Sequence, residues 1–195
     1  MSPSARPAPS LVVAGPIAGQ DPTFEGVYRD HVQTVARWLT RLAGRGADVE
    51  DLTQEVFVIV DRRLREFRGD SAVSTWLFRI AANVAANDRR RRARVPWWKP
   101  VRPGLERALP ASGDTPLERL ERRERQSLFY EVLDRLREDH RRVLVLFELE
   151  QLSASEIAPM LGRTESNVRV LLHRARAAFL KSLLRERKRD ARETS

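Results

Sequence analysis

The 195 residues carry 36 Lys+Arg against 27 Asp+Glu, and the resulting formal net charge of +9 favours polyanionic partners, nucleic acid first. There is no cysteine, which excludes disulfides, thiolate metal sites and cysteine nucleophiles, and His31, His140 and His173 are scattered without metal-ligand spacing. No apolar run approaches the roughly 20 residues that span a bilayer, and Leu11–Gly19, interrupted by Gly15 and Pro16 and preceded only by Arg6, does not read as a secretory signal.

Residues 1–22, rich in Pro, Ala, Ser and Gly, read as a disordered leader. The spacing of Phe24, Val27, Tyr28, His31, Val32, Val35, Leu39 and Leu42 then predicts an amphipathic helix, stopped by Gly44 and Gly46. Asp48 is placed to cap a second helix that turns Leu52, Val56, Ile59, Val60 and Leu64 inward. A third helix, from about Ala72 to Arg92, has Val73, Trp76, Leu77, Ile80, Ala81 and Val84 as its stripe, which makes Trp76 a core residue. Prolines at 96, 100, 103, 110 and 116 mark residues 95–116 as a linker, because proline lacks a backbone donor and breaks helices. Within it, Trp97 and Trp98 have no core to join and are candidates for docking or stacking on a partner.

Helical spacing resumes with Leu117, Leu120, Leu128, Val132, Leu133 and Leu136, and again with Val143, Leu144, Leu146, Phe147 and Leu149. Ser153 followed by Glu156 is a capping box, Gly162 suits a left-handed helix stop, and Thr164 caps a following helix. That last helix turns Val168, Leu171, Leu172, Ala175 and Phe179 inward. Ser166, Asn167, Arg169, Val170, His173 and Arg174 then face out, as the reading helix of a helix-turn-helix requires. A basic tail, 185–195, closes the chain and is expected to fray. The predicted fold is all-α: two small helical domains, 23–94 and 117–184, joined by a proline-rich linker.

Two further faces carry chemistry. The third helix ends in Asn83, Asn87 and Asp88 and then in Arg89, Arg90, Arg91, Arg92 and Arg94. The guanidinium cluster suits phosphates, and an amide such as Asn83 suits an unpaired base edge. The plainer reading is a solvated charge run. The second helix is acidic in a basic protein, with Asp48, Glu50, Asp51, Glu55 and Asp61. It fits a docking face for a basic protein surface, the plainer reading being solvated charge that balances the helix dipole.

Asp48-Val49-Glu50-Asp51-Leu52-Thr53-Gln54-Glu55-Val56-Phe57, then Phe67-Arg68, then Ser74-Thr75-Trp76-Leu77-Phe78-Arg79-Ile80-Ala81-Ala82-Asn83, closely resembles region 2 of bacterial sigma-70-family initiation factors. The segment through Leu172-His173-Arg174-Ala175-Arg176 resembles region 4 of the extracytoplasmic-function (ECF) group, which lacks a region 3 domain. The resemblance implies that Asp48, Asp51, Leu52, Gln54, Glu55 and Phe57 dock on the clamp helices of the RNA polymerase β′ subunit. It implies that Asn83, Asn87, Asp88, Arg89, Arg90 and Arg91 capture the melted −10 strand. The −35 duplex would be read by Thr164, Ser166, Asn167, Arg169, Val170, His173, Arg174 and Arg176, with region 4 also resting on the β flap. One departure stands out: Arg169, Val170 and Leu171 occupy the place of a Lys-Ser-Arg-like trio in many relatives, so the usual −35 preference is not carried over.

The expected function is promoter recognition as a dissociable subunit of core RNA polymerase in the cytoplasm. An anti-sigma factor is an expected further partner, and no cofactor or metal is expected. The rival from another class is a helix-turn-helix regulator that binds duplex operators without polymerase. It leaves the acidic helix and Asn83 without a role. An enzyme fits least, since there is no phosphate loop, nucleophile–base pair or metal cluster in the sequence.

Overall fold

A computed structural model describes residues 22–94 and 127–193, with side chains to 189, and its described residues contain helices and turns but no strand. The leader, the linker with Trp97 and Trp98, and the start of the stripe at Leu117 and Leu120 lie outside them.

The first unit is a three-helix bundle. α1 (Phe24–Ala43) begins where the Thr23 hydroxyl accepts the Gly26 N–H at 3.2 Å, and it stops at Gly44, whose φ of 78° turns the chain away. α2 (Val49–Arg63) starts on the Asp48 carboxylate, which accepts the Asp51 N–H at 3.2 Å, and runs into one 3₁₀ turn, Leu64–Glu66. α3 (Val73–Ala93) is the central element. Its Ala81, Ala82, Ala85 and Ala86 are buried, and such small side chains let neighbouring helices approach closely. Trp38 of α1, fully buried, meets Phe78 of α3 edge-on with ring centroids 5.3 Å apart. Trp76 is half-buried and packs on Phe67 at 5.2 Å, in keeping with its place on the apolar stripe.

The second unit comprises a helix over 127–134 (α4), α5 (Glu138–Leu144), α6 (Ala154–Leu161) and α7 (Glu165–Glu193). Its core gathers Leu133, Val143, Leu146, Ile157, Val168 and Ala175. After α5 the chain widens into a π-helical turn, Val145–Leu149, closed by the Glu150 N–H on the Val145 carbonyl at 3.0 Å. Gln151 follows at a φ of 57°. α6 and α7 meet at Gly162, which is left-handed (φ 62°, ψ 40°), while the Arg163 N–H reaches back to the Ala158 carbonyl at 2.9 Å. The terminal stretch expected to fray is instead the end of α7: Glu186 is buried, paired with Arg135 and, at 2.9 Å, with Arg189.

The capping box at α6 forms fully. The Glu156 N–H donates to Ser153 Oγ at 3.3 Å, and the Ser153 N–H and hydroxyl donate to Glu156 Oε2 at 2.8 and 2.6 Å. The hydroxyl first, then the N–H, hold the Glu156 carboxyl below the usual carboxylate range. A carboxylate with a depressed pKa stabilises the fold above its unfolded pKa, and that stability is lost as pH falls through the folded value. Ser153→Ala is therefore expected to cost about 1 kcal/mol at neutral pH, and less in acid once Glu156 is protonated. Urea titrations at both pH values check this; equal costs would show that the carboxylate takes no part in the cap.

Candidate nucleic-acid interface

Three exposed surfaces carry the predicted residues. On α2, Asp51, Gln54, Glu55 and Val58 are exposed at positions i, i+3, i+4 and i+7, so they share one stripe. Asp48 lies at its start with its carboxylate engaged as the helix cap. The resemblance groups Leu52 and Phe57 with these residues, but the structure buries both, because they fall on the stripe facing α1 and α3. Phe57 lies against Tyr28 at 4.7 Å and Phe24 at 6.4 Å. The exposed apolar groups on this side of the bundle are Val58 (50% exposed) and Tyr28 (45%). Sequence reasoning missed Val58 as a surface residue; its signal is an apolar side chain out of phase with the α2 stripe.

On α3, Asn83, Asn87, Arg90 and Arg91 are exposed, with the Arg90 guanidinium on Asn87 Oδ1. Asn83 lines a cleft whose floor is Phe78, Arg79 and Ala82 and whose far wall is Arg142 with Met160–Gly162. Asp88 differs from its expected place among DNA contacts. It is buried, and its two oxygens accept from Arg91 at 3.0 Å and Arg92 at 2.7 Å, which repel nucleic acid less when so held than a free carboxylate would. Its part is to orient guanidiniums. Arg89 is half-buried and bonded to the second unit: Nη1 to Glu138 Oε2 at 3.0 Å and Nη2 to the Asp134 carbonyl at 3.1 Å.

On α7, the Thr164 hydroxyl caps the helix, accepting the Asn167 N–H at 3.3 Å. Ser166, Asn167, Val170, His173 and Arg174 are exposed, and Val170 is 50% exposed, as its helical phase predicts. Arg169 pairs one turn back with Glu165. Arg176 is turned away from these exposed residues: it holds Glu148 at 2.7 Å and lies 5.0 Å from the Phe147 ring centroid. With both its charge and its flat face engaged on the π-helical turn, it steadies α7 against that turn instead of extending the outer face of the helix.

The units meet through arginines. Arg37 and Arg41 of α1 converge on the buried Glu150 carboxylate, Arg37 at 3.2 Å, and Arg41 also donates to the Leu149 carbonyl at 2.9 Å. Arg141, fully buried, donates to the Leu133 carbonyl at 2.5 and 2.9 Å and crosses to the Leu42 carbonyl at 3.1 Å. Asp134 accepts the Arg45 N–H at 3.2 Å and pairs with Arg141 at 3.3 Å. Burial pushes its carboxyl up, opposed by the Arg45 N–H and by the charges of Arg89, Arg92 and Arg45. Among the described residues no cluster of His, Asp and Glu is arranged to hold a metal ion, and no helix is long and apolar enough to cross a membrane.

The family model for sigma-70 region 2 matches residues 27–95, and that for sigma-70 region 4 matches residues 126–179. RNA polymerase sigma factor YlaC of Bacillus subtilis is 31% identical over 168 residues, covering 86% of this chain and 96% of its own. RNA polymerase sigma-H factor of Pseudomonas aeruginosa is 34% identical, covering 86% and 91%. The ECF RNA polymerase sigma-E factor of Escherichia coli is 33% identical, covering 83% and 86%. Among solved structures, CnrH in complex with the cytosolic domain of CnrY aligns with a TM-score of 0.56 at 25% identity, covering 82% of this chain and 86% of that one. RpoE of Bartonella quintana, solved with the anti-sigma factor NepR, shares the fold with a TM-score of 0.58 at 19% identity, covering 82% and 96%. With both regions matched in order and relatives aligned over most of their length, this chain belongs to the sigma-70 family of RNA polymerase sigma factors, in the ECF group.

Proposed function

We propose that this chain binds core RNA polymerase through the α2 stripe, reads the −35 duplex with the outer face of α7, and holds the melted −10 strand along α3. The observation that carries this reading is the coexistence of an exposed acidic stripe on α2 with an exposed amide-and-arginine end on α3. A duplex-binding regulator uses the helix-turn-helix and has no work for either. Asp51 and Glu55 meet basic groups on the polymerase, Val58 and Tyr28 supply apolar contact beside them, and Leu52 and Phe57 support the stripe from beneath. Asn83 takes a base edge, and Arg90 and Arg91 take phosphates. On α7 the exposed Val170 offers a methyl surface to a thymine methyl group, flanked by polar contacts from Ser166, Asn167, His173 and Arg174. Capture of unpaired bases offsets an unstacking cost of a few kcal/mol. The chain itself performs no catalysis, and nucleotidyl transfer belongs to the polymerase. It works in the cytoplasm, on the nucleoid when in holoenzyme. An anti-sigma factor is a proposed further partner, by analogy with the Bartonella RpoE–NepR pair.

Transcription in vitro with purified core enzyme on sheared genomic DNA tests the reading. Discrete transcripts that require this protein are expected. Tight duplex binding by the protein alone, with no transcripts, would replace it with the operator-binding regulator. Within that assay Asn83→Ala should lower promoter opening about tenfold, the scale of one base contact worth 1–3 kcal/mol, while core affinity stays unchanged. Equal losses in opening and core binding would remove Asn83 from the strand-capture surface.

A further inference from the structure

The outer face of α7 has charged and amide groups at its edges and an apolar side chain at its centre. Ser166, Val170, His173 and Ala177 are exposed at i, i+4, i+7 and i+11, which puts them on one line along the helix. Val170 is 50% exposed, one of the few large apolar side chains among the described residues that water reaches. Arg169, on one flank of the line, is drawn one turn back onto the Glu165 carboxylate, and Asn167 and Arg174 stand on the other flank. Leu180 and Leu184 are exposed as well, but Leu180 stands about 15 Å further along the helix, so Val170 does not belong to one apolar patch with them.

A base pair facing Val170 in a major groove therefore meets methyl groups before it meets a donor or acceptor. The nearest polar neighbours on the line, Ser166 and His173, are roughly 6 and 4.5 Å away along the axis, more than the roughly 3.4 Å between base pairs. They serve the adjoining pairs. Where the Ser166 hydroxyl or the Asn167 amide reaches back, each can both donate and accept. Neither then chooses between thymine O4, an acceptor, and cytosine N4, a donor. What is left for Val170 to read on the pyrimidine is the methyl group on C5.

We propose that Val170 reads the C5-methyl group itself, so that its ligand is a 5-methylpyrimidine in the −35 duplex, thymine or 5-methylcytosine. Both bases place that methyl at the same point of the major groove. Cytosine without it presents a bare C5–H and leaves Val170 without its contact. A promoter with cytosine at this place is then bound according to whether that base has been methylated. The proposal rests on the duplex reading given above for α7; what it adds is the single chemical group that is read and the second base that carries it.

The test is binding of holoenzyme, reconstituted with core RNA polymerase, to a promoter identified in the transcription assay and altered one base at a time along its −35 element. Two exchanges change the methyl and leave base pairing intact: thymine to deoxyuridine, and cytosine to 5-methylcytosine. At the pair facing Val170, deoxyuridine should weaken binding about fourfold, the worth of one buried methyl group. With cytosine placed there, 5-methylcytosine should bind about fourfold more tightly than cytosine. Val170→Ser, at an exposed position outside the core, should bring both ratios close to one. Asn167→Ala should weaken binding and leave both ratios as they were. Ratios of one along the whole element overturn the proposal, as do ratios that survive Val170→Ser, which would assign the methyl effect to DNA shape. A response to thymine alone, with 5-methylcytosine no better than cytosine, also overturns it, because the methyl is then not the group read. In each of these cases the duplex reading by α7 stands as long as other −35 substitutions and Asn167→Ala still weaken binding. If no −35 substitution and no α7 variant alters binding, that reading falls and the proposal falls with it.

Discussion

Charge reversal of the α2 stripe, Asp51→Lys with Glu55→Lys, is expected to weaken binding to core RNA polymerase by on the order of a hundredfold. Each reversal replaces an attraction with a like-charge contact, and about 1.4 kcal/mol apiece corresponds to a factor of ten. The loss should fall mainly on the association rate, because complementary charge acts first on encounter. The fold should change little: both side chains are exposed, neither has an ion-pair partner among the described residues, and the dipole at the start of α2 accounts for less than about 1 kcal/mol. Anisotropy titration of the labelled protein with core enzyme, beside a circular-dichroism melt, checks both halves. Unchanged affinity would show that α2 is a solvated acidic face and would remove the docking assignment. Val58→Asp on the same stripe gives an independent reading of the apolar contact without touching either carboxylate.

The helices and their ends were legible because each is set by residues within a turn or two. Asp48, Ser153 with Glu156, and Thr164 cap the helices that follow them, and Gly162 takes the left-handed stop. Helical phase likewise placed Val170 outside and Val168, Leu172 and Ala175 inside. The same phase puts Leu52 in the core but Phe57 only at the edge of the stripe, where Tyr28 and Phe24 of α1 cover it, and the family pattern alone does not say which members of a docking segment point outward. What was not legible is pairing across the chain. Nothing near Glu150 in sequence points to Arg37, 113 positions earlier, and Arg176 is drawn from the outer face of α7 by Glu148, 28 positions away. The terminal helix was missed for a related reason. A run rich in charge frays when solvated, but Arg135, in the turn just after α4, pairs with the buried Glu186, and α7 runs on past it. The −10 surface shows the limit most clearly: composition marks the arginines, yet only the fold reveals that Arg89 is already occupied.

Arg141 should prove the most sensitive charged position for stability. It is fully buried, and its guanidinium serves the Leu133 carbonyl, the Leu42 carbonyl across the interface, and Asp134. Arg141→Met keeps much of the apolar stem but leaves those acceptors without their donor, in a site where Asp134 is already disfavoured as an anion by burial. Breaking a buried charged pair by removing one partner costs about 3–5 kcal/mol, which for a chain of this size lowers Tm by on the order of 10 °C. Arg141→Lys retains the charge but cannot present two donors to one carbonyl while reaching a second, so it should fall between the two. Adding Asp134→Asn to Arg141→Met should restore part of the loss, because the stranded carboxylate is then neutral. Calorimetry of the four proteins decides it. A cost for Arg141→Met below about 1 kcal/mol, the level of an exposed pair, would mean that water replaces the guanidinium at these carbonyls and that the units are held by their apolar contacts instead.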